Sequence, residues 1–252
     1  MDTAKDTVLI TGGGTGIGRA FAEALNAKGA KVIIAGRRAE VLKEVADANP
    51  GMAYEVLDVG DGEAIKAFAA RVTAAHPDLN VLVNNAGIMK AEDLTADPFD
   101  LSVVDETLAI NLLGTIRLTA ALLPHLKSKA SATVVTVSSG LAFVPLAATP
   151  TYNATKAAIH SWSQSLRWQL QDTSVKVVEW APPAVATDLM PGHAEDPNAM
   201  PLADFIAESV ALFEADQDEV QVQRVKFLSG AEARGDYATV FQTLNDSHRK
   251  VN

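Results

Sequence analysis

The segment Thr7-Val8-Leu9-Ile10-Thr11-Gly12-Gly13-Gly14-Thr15-Gly16-Ile17-Gly18 decides the fold. Its first four residues read as a short buried strand. A stretch of helical composition, residues 17–28, begins at its end and stops at Gly29, a favourable left-handed C-terminal residue. Glycines between strand and helix let the backbone turn sharply and approach a ligand closely. The free amides of the helix N-terminus then face an anion, typically a pyrophosphate. The spacing, set by Gly12, Gly16 and Gly18, is Gly-x-x-x-Gly-x-Gly and not the common Gly-x-Gly-x-x-Gly fingerprint. Gly13 and Gly18 have the separation of a Walker A loop, but Arg19-Ala20 follow where that loop needs Lys and Ser/Thr, which excludes it. A tight turn without ligand is the competing reading; a position after the first strand of a βαβ unit favours the nucleotide.

Outward from this turn, short apolar runs alternate with longer helical stretches. Residues 31–35, 53–57, 81–83, 132–137 and 175–179 read as further strands, several of them continuous β-branched runs, as in strands buried on both faces. Helical stretches at residues 39–49 and 62–75 stop at Pro50 and before Pro77. This repetition implies right-handed crossovers and a doubly wound parallel sheet, a Rossmann-like α/β fold in one domain over residues 1–252. Residues 186–201 hold Pro191, Gly192, Pro197 and Pro201, so a long loop, the expected substrate loop at 186–204, follows the sixth strand. Residues 201–215 then look helical, residues 220–222 suit a short edge strand, and helical composition continues to Leu244, making 220–252 an atypical tail.

The 252 residues carry 31 acidic against 21 basic side chains, a net charge of −10, and 48% are hydrophobic. That supplies a sizeable core and opposes wholesale disorder. The acidic balance opposes nucleic acids and anionic membranes, whose binding needs Lys and Arg clusters. Without cysteine there are no disulfides, thiolate metal sites or Cys nucleophiles, which fits a reducing compartment. No targeting segment is visible and no uninterrupted run reaches the ~18 apolar residues of a membrane span, so a cytoplasmic protein is expected.

After the second strand, an acidic residue would hold a ribose 2′-hydroxyl, whereas Arg accommodates a 2′-phosphate. The chain has Ala35-Gly36-Arg37-Arg38 there. Two guanidiniums form charge-assisted bonds to phosphate, favouring NADP(H) over NAD(H); a solvated Arg pair opening a surface helix is the alternative. Tyr152 and Lys156, at i and i+4, share one face of a helix. A nearby ammonium favours phenolate and would lower the Tyr pKa toward a general acid/base range. Ser139, at the end of the fifth strand, offers a hydroxyl to a carbonyl oxygen. Asn111, between Ile110 and Leu112, needs hydrogen-bond partners. Tyr-x-x-x-Lys alone is a weak signal.

The combination is specific. From Thr7 to about Leu189 the chain resembles the short-chain dehydrogenase/reductase family, single-domain type, through Thr11-Gly12, Gly16-Ile17-Gly18, Asp58-Val59, Asn84-Asn85-Ala86-Gly87, Asn111, Ser139, Tyr152 and Lys156. The resemblance implies that Tyr152 exchanges the proton and that Ser139 orients and polarises the substrate oxygen. It implies that Lys156 bonds the nicotinamide ribose and tunes Tyr152, and that Asn111 holds a water in a proton relay. Cofactor contacts are implied for Gly12, Gly14, Thr15, Gly16, Ile17 and Gly18 in the turn. Arg37 and Arg38 would meet the 2′-phosphate, Asp58 and Val59 the adenine, and Asn85 and Ala86 the adenosine ribose side, with Gly87 a further cofactor contact. Thr187 would reach the carboxamide region, and Pro182 and Val185 would also touch the cofactor. The expected cofactor is NADP(H) and the activity that of a carbonyl reductase or alcohol dehydrogenase. An NAD-dependent dehydrogenase and a non-catalytic nucleotide sensor are the alternatives.

Two features depart from the family. Pro182-Pro183 stands where Pro-Gly is common, stiffening the entry to the loop, and the usual final strand with its Gly-rich end is missing. The stretch after Pro183 is similar to a bacterial subgroup linked with teichoic-acid D-alanylation, which implies no particular substrate. Met89, Phe143, Val144, Leu189 and Met190 are candidate pocket residues, suggesting a mostly apolar ketone, aldehyde or secondary alcohol. The five histidines show no metal-ligand spacing and no Gly-x-Ser-x-Gly elbow exists. They are expected at the surface or at helix ends, with His193 in the loop the one to test for substrate contact. Leu112, Leu113, Ile116 and Leu118, with Ile159, Trp162, Leu166 and Trp168, are too many apolar residues for one buried stripe on each of two helices, so a homodimer through them is expected.

Overall fold

A computed structural model describes residues 1–248. Seven parallel strands form one sheet in the order β3-β2-β1-β4-β5-β6-β7. They are β1 (Thr7–Thr11), β2 (Lys31–Gly36), β3 (Ala53–Val56), β4 (Val81–Asn84), β5 (Ala132–Val137), β6 (Val175–Trp180) and β7 (Glu219–Val220). β1 pairs with β2 on one side and β4 on the other, with Leu9 level with both Ile33 and Leu82. The strand order reverses there, and a crevice opens outside the carboxyl ends of the strands. Every residue of β1, β4 and β5 is buried, which is why these strands lack alternation.

The first three crossovers are α1 (Gly16–Lys28), α2 (Ala39–Ala48) and α3 (Gly62–Ala75). Gly29 ends α1 at φ 107°, a left-handed conformation that glycine adopts without steric cost. Asp61 opens α3, its carboxylate accepting from the amides of Glu63 and Ala64.

The connection from β4 to β5 is not one plain helix. It comprises α4 (Ser102–Thr107), a π-helical segment at Leu108–Gly114 and α5 (Thr115–Lys127), which continues through Pro124. Gly114 lets the widened turn approach the chain after β3: a Cβ there would lie 2.6 Å from the carbonyl oxygen of Val59. By length and composition Ser102–Lys127 could cross a membrane, a property that counting uninterrupted apolar runs passes over. Here it buries Leu118, Leu122 and Leu126 in the core on one side of the sheet.

α6 (Pro150–Leu170) joins β5 to β6, and α7 (Leu202–Glu214) packs beside α1. Phe21, Trp180, Phe205 and Phe213 fill the core there. Trp180 stacks on Phe205 with ring centroids 5.4 Å apart, and its Nε1 donates to Ser209 Oγ at 3.1 Å. The edge strand lies one residue before its expected position. The described part of the tail beyond it forms three short helices, α8 (Lys226–Ser229), α9 (Ala231–Arg234) and α10 (Tyr237–Ser247), divided at Gly230 and Gly235; residues 249–252 of the expected tail lie outside the described residues.

Candidate active site

The glycine turn is fastened to the end of β4. Gly12 and Gly16 have φ of 68° and 55°, where a side chain is strained. A Cβ on Gly12 would lie 2.9 Å from Asn85 Nδ2, and one on Gly18 would collide with the carbonyl of Gly12. Asn85 Nδ2 donates to the carbonyls of Thr11 (2.9 Å) and Gly12 (3.4 Å). The amides of Asn85 and Ala86 both donate to Thr11 Oγ1, at 3.1 and 3.0 Å. The side chain of Asn85 thus faces the turn. Thr15, preceding α1, makes no side-chain cap, so no hydroxyl competes for the first amides of the helix.

Two contiguous cavities of about 500 and 560 Å³ run along the crevice. Gly14, Arg37, Arg38, Asp58 and Val59 line the first; Gly16, Ile17, Gly18, Asn85 and Ser139 line the second, with Tyr152, Lys156, Pro182, Val185 and Thr187. Gly12, Thr15, Arg38, Ala86, Gly87 and Ile88 border both. Of the residues expected to be catalytic or to touch the cofactor, Asn111 is the one off the wall. It sits in the π-helical segment at 1% exposure, accepting from the Ile88 amide (2.9 Å) and donating to the Ile88 carbonyl (2.8 Å) and Thr155 Oγ1 (3.4 Å). It clamps the turn after β4 to α6.

Tyr152 and Lys156 are both buried on α6. Lys156 Nζ donates to the Val137 carbonyl at 2.7 Å and lies 5.5 Å from the centroid of the Tyr152 ring. Ser139 bonds the Tyr152 hydroxyl, and its Oγ accepts from the Leu141 amide at 3.1 Å. Burial pushes Tyr152 up to about 12, against the downward pull of its bond to Ser139. Burial pushes Lys156 down to about 8. The phenol lowered by its lysine, expected from the i, i+4 spacing, is therefore not what this structure shows: the ammonium is held by Val137, and desolvation dominates.

Residues 6–198 match the family model for short chain dehydrogenases. The chain belongs to the short-chain dehydrogenase family. It is 39% identical over 250 residues to an uncharacterized oxidoreductase, DltE, of Bacillus subtilis (strain 168), covering 97% of this chain and 98% of that one. A short chain dehydrogenase from Burkholderia cenocepacia J2315, solved with NADP, superposes with a TM-score of 0.83 at 25% identity over 97% of this chain and 99% of that one. A 3-ketoacyl-(acyl-carrier-protein) reductase from Brucella melitensis, solved with NADH, gives 0.76 at 25% identity over 84% and 91%. This chain is an oxidoreductase of the family with a nicotinamide-cofactor fold, and its structural neighbours include complexes with either nucleotide.

The far side of the second cavity has no signal in the motifs. Met89, Leu189 and His193 are on its wall, joined by Leu141 and Leu146 and by Leu228, Leu244 and His248 from the tail. Phe143, Val144 and Met190 are not among its lining residues. Val144 is fully buried against Ala231 and Val240, Phe143 lies against His160 (4.8 Å between centroids), and Met190 packs on the cluster of Met89, Leu146 and Tyr152. Asn245 fixes α10 in place: Oδ1 accepts from the Ala147 amide at 2.6 Å and Nδ2 donates to the Pro145 carbonyl at 3.1 Å. Pro182, at the altered Pro-Pro, accepts from the Gly140 amide at 2.8 Å and so ties the exit of β6 to the turn carrying Ser139.

Proposed function

We propose that the chain is an NADP(H)-dependent carbonyl reductase or alcohol dehydrogenase acting on a mostly apolar ketone, aldehyde or secondary alcohol. The observation that carries this reading is the convergence of Ser139, Tyr152 and Lys156 on a cavity continuous with the glycine cradle. The residues fit a dinucleotide: the cradle at Gly12 and Gly18 has no room for a Cβ, and Arg37 and Arg38 make no ion pair with a described residue. Arg37 and Arg38 would hold the 2′-phosphate, Asp58 and Val59 the adenine end, and Lys156 and Thr187 the nicotinamide end. When bound, the cofactor supplies a hydride to the substrate carbon or accepts one from it.

The protein's own part is proton handling. Ser139 would donate to the substrate oxygen and hold it beside Tyr152. In reduction the Tyr152 hydroxyl gives its proton to that oxygen as negative charge develops; in oxidation the phenolate takes one. The raised pKa keeps the phenol protonated at neutral pH, the form needed for reduction. The neighbouring Lys156 ammonium stabilises the phenolate left behind. Apolar side chains such as Met89, Leu146 and Leu244 would exclude water and select a substrate of matching polarity.

Exposed Leu113 and Trp168, the latter 72% accessible, support a homodimer through α5 and α6 with the preceding π-helical segment; Leu118 and Ile159 are buried within the subunit and cannot contribute. A cytoplasmic location suits a cysteine-free chain with this chemistry. A panel of ketones, aldehydes and secondary alcohols, followed by NADPH absorbance, tests the activity. Turnover of an apolar carbonyl is expected; nucleotide binding without turnover of any carbonyl or alcohol would favour a sensor instead.

A further inference from the structure

Behind the catalytic face lies a second polar set that the proton transfer does not use. Glu179, on β6, is 1% exposed, and a carboxylate at that depth is costly unless its oxygens are bonded. One oxygen accepts from Ser138 Oγ, at the end of β5. The other accepts from His160 Nδ1 on α6 at 2.7 Å. Ser138 immediately precedes Ser139. His160 follows Lys156 by one helical turn and Tyr152 by two, on the same face. Three elements are thus joined through one buried carboxylate, and two of them carry the residues that must meet at the substrate oxygen. His160, expected from the sequence at the surface or at a helix end, is instead half-buried within α6 and bonded to this carboxylate. The bond to Glu179 raises its pKa above the usual imidazole value, with a further upward pull from Glu219 and a downward one from burial and Arg167.

The order of the contacts excludes a nucleophilic triad. Ser138 gives its hydrogen bond to the carboxylate and not to the imidazole, so no base is in place to activate the hydroxyl. A bond between Thr136 Oγ1 and Ser163 Oγ (2.7 Å) makes a second tie between β5 and α6. The docking of α6 therefore does not depend on Glu179 alone, and what the bridge adds is the alignment of the last residues of β5.

We propose that the Ser138–Glu179–His160 bridge positions Ser139 against Tyr152, with Glu179 and His160 as positioning residues for the proton-transfer pair. The proposal rests on the functional reading above for its kinetic consequence, but its structural consequence is separable. Breaking the bridge lets the Ser139 turn shift relative to α6 and weakens the Ser139–Tyr152 hydrogen bond. Small misplacements of reacting groups cost up to ~10²-fold in rate; with the Thr136–Ser163 tie intact, about tenfold is expected.

The test compares His160→Ala, which deletes the donor, with His160→Asn, whose amide can donate to Glu179 but does not titrate. Two readouts are taken. The first is the NMR resonance of the Tyr152 ring carbon bearing the hydroxyl in cofactor-free protein, assigned by its loss in Tyr152→Phe. The second is kcat, KM and NADPH affinity with the best carbonyl of the panel. His160→Ala is expected to shift the Tyr152 resonance and lower kcat about tenfold, with KM and NADPH affinity within about twofold of wild type. His160→Asn is expected to restore both. An unmoved resonance in His160→Ala, or equal loss in both variants, overturns the proposal. A fall in melting temperature with kcat unchanged also overturns it, as the mark of a merely structural tie. A wild type that turns over no carbonyl would refute the functional reading, while the resonance would still decide for or against the bridge.

Discussion

Replacing Lys156 by methionine should remove one ionisation that makes the stability of this protein rise with pH. Lys156 is 5% exposed, and burial alone pushes its pKa from 10.5 down to about 8. A difference of that size corresponds to about 3 kcal/mol by which the ammonium is disfavoured in the folded chain relative to the unfolded one. Below about pH 8 both states carry the charge and the folded state bears the whole cost. Between about 8 and 10.5 the folded chain gives up its proton while the unfolded chain keeps it, so stability rises with pH. Above 10.5 the cost is gone. Lys156→Met removes this ionisation and leaves Tyr152, pushed up to about 12, in both proteins, where its effect largely cancels in the difference. The lost bond to Val137 and the new packing shift the two proteins by a nearly pH-independent amount. Urea denaturation of the cofactor-free proteins at a series of pH values should show wild type gaining about 3 kcal/mol on the variant across that interval. A difference that stays flat from neutral pH to 10.5 would refute the claim that a desolvated ammonium is stored at the site.

Other outcomes follow from the same geometry. Tyr152→Phe should keep nucleotide affinity but lower turnover by the ~10²–10⁴ of a lost general acid, read in steady-state kinetics. Arg37→Ala should weaken NADPH binding roughly ten- to hundredfold and leave NADH nearly unchanged, read by fluorescence titration; tighter NADH binding by wild type would contradict the assignment. Glu92 accepts from the amide and hydroxyl of Thr151 at 2.9 and 2.7 Å, capping α6 where Thr149 does not, so Glu92→Ala should cost about 1–2 kcal/mol in denaturant midpoint analysis. Light scattering at micromolar concentration should give the mass of two chains, and a charged substitution at exposed Trp168 should reduce it to one.

What was legible in the sequence was whatever backbone geometry forces onto residue type. Glycine adopts the left-handed conformations of Gly12 and Gly16 without steric cost, and the close approach at Gly18 leaves no room for a Cβ, so the turn announces itself. Strands buried on both faces must be β-branched or apolar, so the sheet could be counted, although its last strand shrank to Glu219–Val220. The i, i+4 pair on α6 is likewise local. The π-helical segment was not legible, because Leu108–Gly114 has the composition of an ordinary helix. The close approach of Gly114 to Val59 is likewise a contact with a distant segment, which local composition does not mark.

The same distinction explains the rest of the site. Asn245 reaches across 98 and 100 residues to Ala147 and Pro145, and this long-range contact helps decide that Leu244 and not Phe143 faces the substrate side. Glu179 reads as one polar residue in a strand and His160 as one polar residue on a helix; the order of β5 and β6 in the sheet and the docking of α6 put them together. A buried polar group must find a partner, but its partner is chosen by topology and not by spacing. The cofactor half of the crevice is built from adjacent residues of single strand–turn–helix units, whereas the alignment of its catalytic groups is built from contacts between units. Motifs therefore point to the chemistry, while the Ser138–Glu179–His160 bridge, which no motif marks, is formed by contacts between units.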